Sequence, residues 1–270
     1  MNKNELRREN ISAHFPNEPQ WQIHCLDTVG STNDYAKALA AKGAPHGTVI
    51  LADRQTGGRG RMGRSFHSPG GQGIYLSVLL RPGCPPDELM HLTCATAVAM
   101  CDAVESAAHI RPGIKWTNDL VIGSRKLGGI LTELSVDYSN CLTAYAVIGV
   151  GINCTQRAED FPPELGGIAT SLALETGKAI DRCAVAAAMI AALQKMDAGL
   201  FSQKQAMLDR YRAGCITLGK EISILRADTV EHAIAVDIDS DGALLVRTDR
   251  GEKKTVSSGE VSIRGMYGYV

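Results

Sequence analysis

Gly58-Arg59-Gly60-Arg61-Met62-Gly63-Arg64 packs three glycines and three arginines into seven residues, and its reading decides which folds remain open to the chain. Glycine lacks a Cβ, tolerates positive φ and lets a backbone turn tightly against a ligand. Arginine adds planar, permanently charged forks that match phosphate and carboxylate oxygens. A flexible loop of this composition is suited to closing over an anion. The letters also fit G-x-G-x-x-G through Gly58, Gly60 and Gly63, but a dinucleotide fingerprint needs a helix directly afterwards and an acidic residue about 20 positions on. Ser65-Phe66-His67-Ser68-Pro69-Gly70-Gly71 breaks such a helix, position 83 is Gly83, and no Gly-Lys-Ser/Thr follows. Context therefore argues against both a Rossmann unit and a Walker A loop.

Outward from the loop, residues 48–52 read as an apolar strand entering it and 74–80 as the strand leaving it. Residues 21–26 predict an earlier strand. Ser31-Thr32-Asn33-Asp34 has the form of a capping box, with Ser31 as N-cap, opening an alanine-rich helix to about Lys42. A long helix is expected over 91–108, strands near 114–116, 129–134 and 142–150, and helices over 184–200 and 203–211. Residues 1–20 are polar and proline-punctuated and read as a flexible N-terminal arm. After Gly219 short alternating segments, broken at Asp241-Gly242 and Arg250-Gly251, predict a small all-β barrel. The expected organisation is an arm (1–20), a catalytic domain (21–215) and a C-terminal domain (216–270).

The chain has 270 residues, 44% of them hydrophobic, and a net charge of −1. That balance argues against a dedicated nucleic-acid binder while allowing a local basic site. The N-terminus has no apolar run after its charges, and the stretch 183–193 is too short to span a bilayer. A soluble, cytoplasmic protein with no membrane partner is expected. The eight cysteines include no C-x-x-C, which predicts reduced, mostly buried thiols.

Two further clusters carry chemistry. Lys115-Trp116-Thr117-Asn118-Asp119, followed by Lys126-Leu127-Gly128-Gly129-Ile130-Leu131, sets two lysines and an aspartate on strands around a tight turn. Lysines on apolar strands are seldom buried without a partner, so one aimed into a site suits a carboxylate or phosphate. Gly149-Val150-Gly151-Ile152-Asn153 ends an apolar strand with glycines that permit close approach. Together with Ser31-Thr32-Asn33, Gln55 and Ser68-Pro69, these clusters resemble the biotin protein ligase family in order and spacing, from about Trp21 to the C-terminus.

The resemblance implies an α+β fold: a mixed sheet flanked by helices, plus a small C-terminal SH3-like β barrel. It implies that biotin and ATP form biotinyl-5′-AMP, and that the biotinyl group then passes to a lysine of a biotin carboxyl carrier protein. By position, Ser31, Thr32, Asn33 and Gln55 would contact the ureido end of biotin. Gly58, Arg59, Gly60, Arg61 and Gly63 would line the biotin and adenylate pocket. Lys126, beside Gly128 and Gly129, would meet the biotin carboxylate and the acyl phosphate. Lys115 and Asp119 would lie near the phosphates, Asp119 as a Mg²⁺ ligand and a candidate base for the acceptor lysine, and Asn153 would sit on the adenylate side. Biotin's carboxylate is ionised at neutral pH, so activation needs cations rather than a base.

The family commonly has proline where Thr117 stands and tryptophan where Phe66 stands. Its regulatory members carry an N-terminal winged helix, whereas about 20 residues precede the first strand here. The expectation is a non-repressor type without DNA binding, and a homodimer is left open. A lipoate ligase or octanoyltransferase of related fold, and a non-catalytic biotin sensor, are the competing readings. The alternating Gly/Arg loop and the β barrel favour biotin over the first, and the full set of lysines and arginines opposes the second.

Overall fold

A computed structural model describes residues 5–15, 20–226 and 229–257, and the backbone of 262–265. Strands β1 (Gln22–Val29), β2 (Thr48–Gln55), β3 (Gly73–Leu80), β4 (Gly113–Lys115), β5 (Asp119–Ile122), β6 (Arg125–Asp137) and β7 (Leu142–Asn153) form one sheet in the order β1-β2-β3-β7-β6-β5-β4. β1 and β2 are parallel, as the helical crossover between them requires. The pairings from β2 to β4 are antiparallel.

Alternation along the strands sends successive side chains to opposite faces. Val49, Leu51, Leu76, Val78 and Ile148 enter the main core, which they share with α3 (Leu92–Ala108), α4 (Leu172–Thr176), α5 (Arg182–Gly199) and α6 (Lys204–Gly214). On the opposite face Ile50, Leu79 and Val147 pack beneath Ala36 and Ala40 of α2 (Thr32–Ala41). α2 roofs one part of that face, and the candidate site occupies the part beside its N-terminus. No helix among the described residues is long and apolar enough to cross a membrane.

The N-terminal segment corrects the expectation of a flexible arm, for the part described. Its helix α1 (Arg8–Ser12) buries Ile11 completely, and Ile11 and Leu6 both join the main core. The Cys183 thiol donates to Glu5 O at 3.2 Å. Leu6 and Ile11, with partly buried Phe15 packed against the same core, dock this polar stretch, because burying their surface offsets the ordering of a short segment. The cysteines are free, as expected, and Cys94, Cys101, Cys154, Cys183 and Cys215 are buried while Cys141 is exposed. Burial pushes the Cys154 thiol up to about 12.

The C-terminal strands β8 (Glu221–Arg226), β9 (Thr229–Ile238), β10 (Leu244–Thr248), β11 (Lys253–Val256) and β12 (Ser262–Gly265) form an antiparallel sheet in the order β11-β10-β9-β8-β12. The turn between β9 and β10 reaches back to the catalytic unit. Trp116 Nε1 donates to Gly242 O at 3.0 Å, and Arg212 Nη2 donates to Ile238 O at 2.7 Å. Gly242 has φ +85°, and a Cβ there would lie 2.7 Å from Cys94 Sγ, so both conformation and space demand glycine.

Ile11→Ala is expected to destabilise the protein by about 2–4 kcal/mol, the cost of a core cavity. Urea unfolding measures it, and a change under about 0.5 kcal/mol would mean that residues 5–15 are not docked.

Candidate active site

The sheet register builds the floor of the site. Tyr75, Gly151, Gly129, Asp119 and Lys115 form one row across β3, β7, β6, β5 and β4. Two residues along, Ser77, Gly149 and Leu131 form the next row on the same face. A Cβ at Gly151 would lie 2.5 Å from Phe66 Cε1, and one at Gly149 would collide with the Asn33 amide. Glycine at these positions thus clears the sheet for other groups to approach it. A cavity of about 600 Å³ lies over this floor.

One wall is the segment 58–66, which is a closed excursion rather than a loose loop. Phe66 N donates to Gly58 O at 2.9 Å and Gly60 N to Arg64 O at 2.7 Å. Met62 (φ 56°) and Gly63 (φ 70°) turn its tip through the left-handed region. Its base is tied down by buried Arg182, which donates to Asp53 Oδ1 at 2.6 Å and to Gly73 O at 2.7 Å. Phe66 meets Tyr75 edge-on, with ring centroids 6.4 Å apart.

The second wall is the N-terminus of α2. Ser31 caps it by accepting from Asp34 N, but the Asp34 carboxylate pairs with Arg59 and Lys37, so only half of the expected capping box forms. Thr32 donates to Gln55 Oε1 through its N–H at 2.8 Å and its hydroxyl at 3.0 Å. Gln55 Nε2 donates in turn to Ser68 Oγ at 3.1 Å, which fixes the orientation of the Gln55 amide. Asn33 Nδ2 reaches Glu133 Oε2 at 2.7 Å, and Lys37 Nζ reaches Glu133 Oε1 at 2.8 Å. Burial pulls the Lys37 ammonium down, but its hydrogen bonds to Glu133 and Asp34 outweigh that and raise it.

Charge collects at the far end. Lys126 Nζ donates to Asp119 Oδ1 at 2.6 Å, and Lys115 is buried at 6% exposure beside them. Arg61 Nη1 donates to Asn118 Oδ1 at 3.2 Å, which ties the excursion to the turn between β4 and β5. Burial lowers the Arg61 pKa and nearby Asp119 partly opposes the shift; a guanidinium so perturbed remains charged. Arg59, Arg61, Arg64, Lys115 and Lys126 line the cavity together with Asp119. Such a surface is built to neutralise anionic groups brought close to one another.

Of the residues singled out in the sequence, Ser31, Thr32, Asn33, Gln55, Arg59, Gly60, Arg61, Lys115, Asp119, Lys126 and Gly129 meet in this cavity. Gly58, Gly63, Gly128 and Asn153 do not line it. Gly58 and Gly128 relieve backbone crowding: a Cβ at Gly58 would lie 2.6 Å from Phe66 O, and one at Gly128 would strike Gly151 O. Asn153 is buried, donates to Thr170 O at 2.9 Å and accepts from Gln156 at 3.2 Å, so it braces the excursion after β7. Leu165 and Ile168 line the cavity unforeseen, because long-range contacts such as the bridge between Lys126 and Ala169 bring their segment there. Glu133 was also missed, though its place two residues beyond Leu131 on the same face was the available signal.

The sheet, the glycine-floored cavity and the C-terminal antiparallel sheet define the class. Residues 26–153 match the biotin/lipoate A/B protein ligase family, and residues 217–264 match the biotin protein ligase C terminal domain. The chain is 38% identical over 237 residues to the bifunctional ligase/repressor BirA of Bacillus spizizenii, covering 86% of this chain and 71% of that protein. It is 34% identical over 250 residues to the biotin--[acetyl-CoA-carboxylase] ligase of Mycobacterium tuberculosis, covering 89% and 88%. The biotin protein ligase of Aquifex aeolicus, solved in complex with biotin and ATP, superposes with a TM-score of 0.77 at 30% identity, over 90% of this chain and 99% of that one. The chain belongs to the biotin protein ligase family.

Gly149→Ala should destabilise the protein by about 1–3 kcal/mol, because the new methyl must displace Asn33 or the sheet. An unchanged denaturation midpoint would show that Asn33 does not rest on Gly149.

Proposed function

We propose that this protein activates biotin with ATP to biotinyl-5′-AMP and transfers the biotinyl group to a lysine of a biotin carboxyl carrier protein. The observation that carries the reading is the convergence of Ser31, Thr32, Asn33 and Gln55 with Arg59, Arg61, Lys115, Asp119 and Lys126 on one cavity. In the first step a biotin carboxylate oxygen attacks the α-phosphorus of ATP, the α–β bridging P–O bond breaks, and pyrophosphate leaves. The barrier is largely the approach of one anion to another. Lys126, Arg59 and Arg61 supply positive charge where negative charge builds, in surroundings partly shielded from water. In the second step the acceptor amine attacks the acyl carbon of the mixed anhydride, the C–O bond to phosphate breaks, AMP leaves and the amine loses a proton.

Mg²⁺ fits as an ion brought in with the nucleotide. Among the described residues no group of three or more His, Cys, Asp and Glu could hold a metal on its own, and Mg²⁺ is commonly held by one or two carboxylates plus phosphates. Asp119 would be its protein ligand, exchanging Lys126 for the cation, and the ion would screen phosphate charge. Gly58 and Gly63 shape the wall that carries Arg59 and Arg61, and Gly128 shapes the approach of Lys126. Asn153 supports the adenylate side through the segment it braces rather than by contact.

Lys126→Ala is expected to cut biotin-dependent ATP–pyrophosphate exchange at least a hundredfold, a loss of about 3 kcal/mol of transition-state stabilisation, with the protein still folded. Exchange within threefold of wild type would remove Lys126 from the reaction, and wild-type exchange with lipoate or octanoate but not biotin would favour the related ligases.

Arg61 is expected to retain the intermediate as well as help to make it. Arg61→Gly removes a half-buried cation and its tie to Asn118, and adds backbone freedom to the wall. Released biotinyl-AMP would then acylate lysines of an unrelated protein. Bystander labelling equal to wild type, at matched adenylate production, would assign Arg61 to synthesis alone.

A further inference from the structure

Ser77 sits in the middle of β3, between Leu76 and Val78, and is completely buried. A hydroxyl in an apolar strand costs stability unless it is hydrogen-bonded. Both hydrogen bonds described for it run to cavity residues: its Oγ is 2.8 Å from Thr32 Oγ1 and 2.6 Å from Asn33 Oδ1. Ser77 itself does not line the cavity. Its register partner is Gly149, whose missing side chain leaves room for the Asn33 amide.

The donors and acceptors around it have one consistent arrangement. Asn33 Nδ2 points at two groups that can only accept, Leu131 O at 3.2 Å and the Glu133 carboxylate at 2.7 Å. Asn33 Oδ1 therefore faces Ser77, and the single Ser77 proton is committed to it. The Thr32 hydroxyl then has an acceptor on each side, Ser77 Oγ and Gln55 Oε1. Whichever it chooses, its proton stays within the protein and its oxygen offers the cavity only lone pairs. A ligand N–H, such as a ureido N–H, is the group complementary to that oxygen.

We propose that Ser77 is a positioning residue for biotin binding, holding Thr32 as an acceptor and Asn33 in one orientation from beneath the cavity floor. The proposal rests on the biotin reading above. Without the Ser77 hydroxyl, Asn33 Oδ1 loses its buried donor and Asn33 is free to reorient, while Thr32 keeps only its bonds to Gln55. The loss falls on the binding of biotin and not on the steps at Lys126 and Asp119.

Isothermal titration with biotin and pyrophosphate exchange on wild type, Ser77→Ala, Ser77→Cys, Asn33→Ala and the Ser77→Ala/Asn33→Ala double variant test this. Ser77→Ala is expected to weaken biotin binding roughly tenfold or more, the effect of a stranded buried acceptor. Its kcat at saturating biotin should stay within about threefold and its KM for ATP within about twofold, the split between binding and chemistry. The double variant should bind within about threefold of Asn33→Ala alone, because Ser77 acts through its partners. Ser77→Cys keeps the volume with a weaker donor and should fall between; if it alone folds, it decides. Biotin affinity within about twofold of wild type, fully multiplicative losses in the double variant, or an equal rise in the KM for ATP would each overturn the assignment. Wild-type protein that neither binds biotin nor supports exchange would instead count against the proposed function.

Discussion

Three α-carbons without side chains, at positions 129, 149 and 151, control what can approach one face of the central sheet. A strand residue normally fills the layer above its own sheet, so a small molecule can reach that layer only where the Cβ is missing. Asn33 and Phe66 occupy the space that side chains at 149 and 151 would need. The Lys126 Nζ stands 3.4 Å from where a Cβ on Gly129 would be. The polar wall, the aromatic wall and the lysine are all referred to this bare strip.

Charge is arranged on the same economy of space. Arg59 pairs with Asp34, Lys126 with Asp119, and Lys37 with Glu133. These carboxylates keep cations close together that would otherwise repel one another. An anionic ligand entering the cavity exchanges one partner for another instead of pairing a bare charge. The net gain is then smaller than a direct count of contacts suggests, and it depends on how well the ligand's oxygens match the forks they meet.

Much of this was legible in the sequence because the informative residues were of unusual type for their surroundings. A Gly/Arg alternation at 58–64 suits close approach and anion contact, whereas the glycines at 149 and 151 read alone as a bulged strand end and gain meaning only beside the other clusters. The strand and helix periods located β2, β3, α3 and β7 to within a few residues, since burial and period coincide there. Legibility failed where contacts are made across long separations. Nothing local to Ile168 says that it will stand beside Lys126. The resemblance puts Asn153 on the adenylate side, yet its Nδ2 donates to Thr170 O and it does not line the cavity. The segment holding Leu6 and Ile11 looked loose because composition averages over two residues that happen to find a hydrophobic site.

The contact between Trp116 and Gly242 has a consequence for how the chain can be divided. Trp116 belongs to the cavity wall, yet its indole is held by a carbonyl from the C-terminal sheet, and its amide is held by Thr217 at 2.9 Å. A chain cut between α6 and β8 keeps every lining residue in its N-terminal fragment but separates Trp116 from the Gly242 carbonyl that holds its indole. Two such pieces, carried on separate proteins, would regain the support of Trp116 only when brought together. The enzyme's covalent product would then be a permanent record of that meeting.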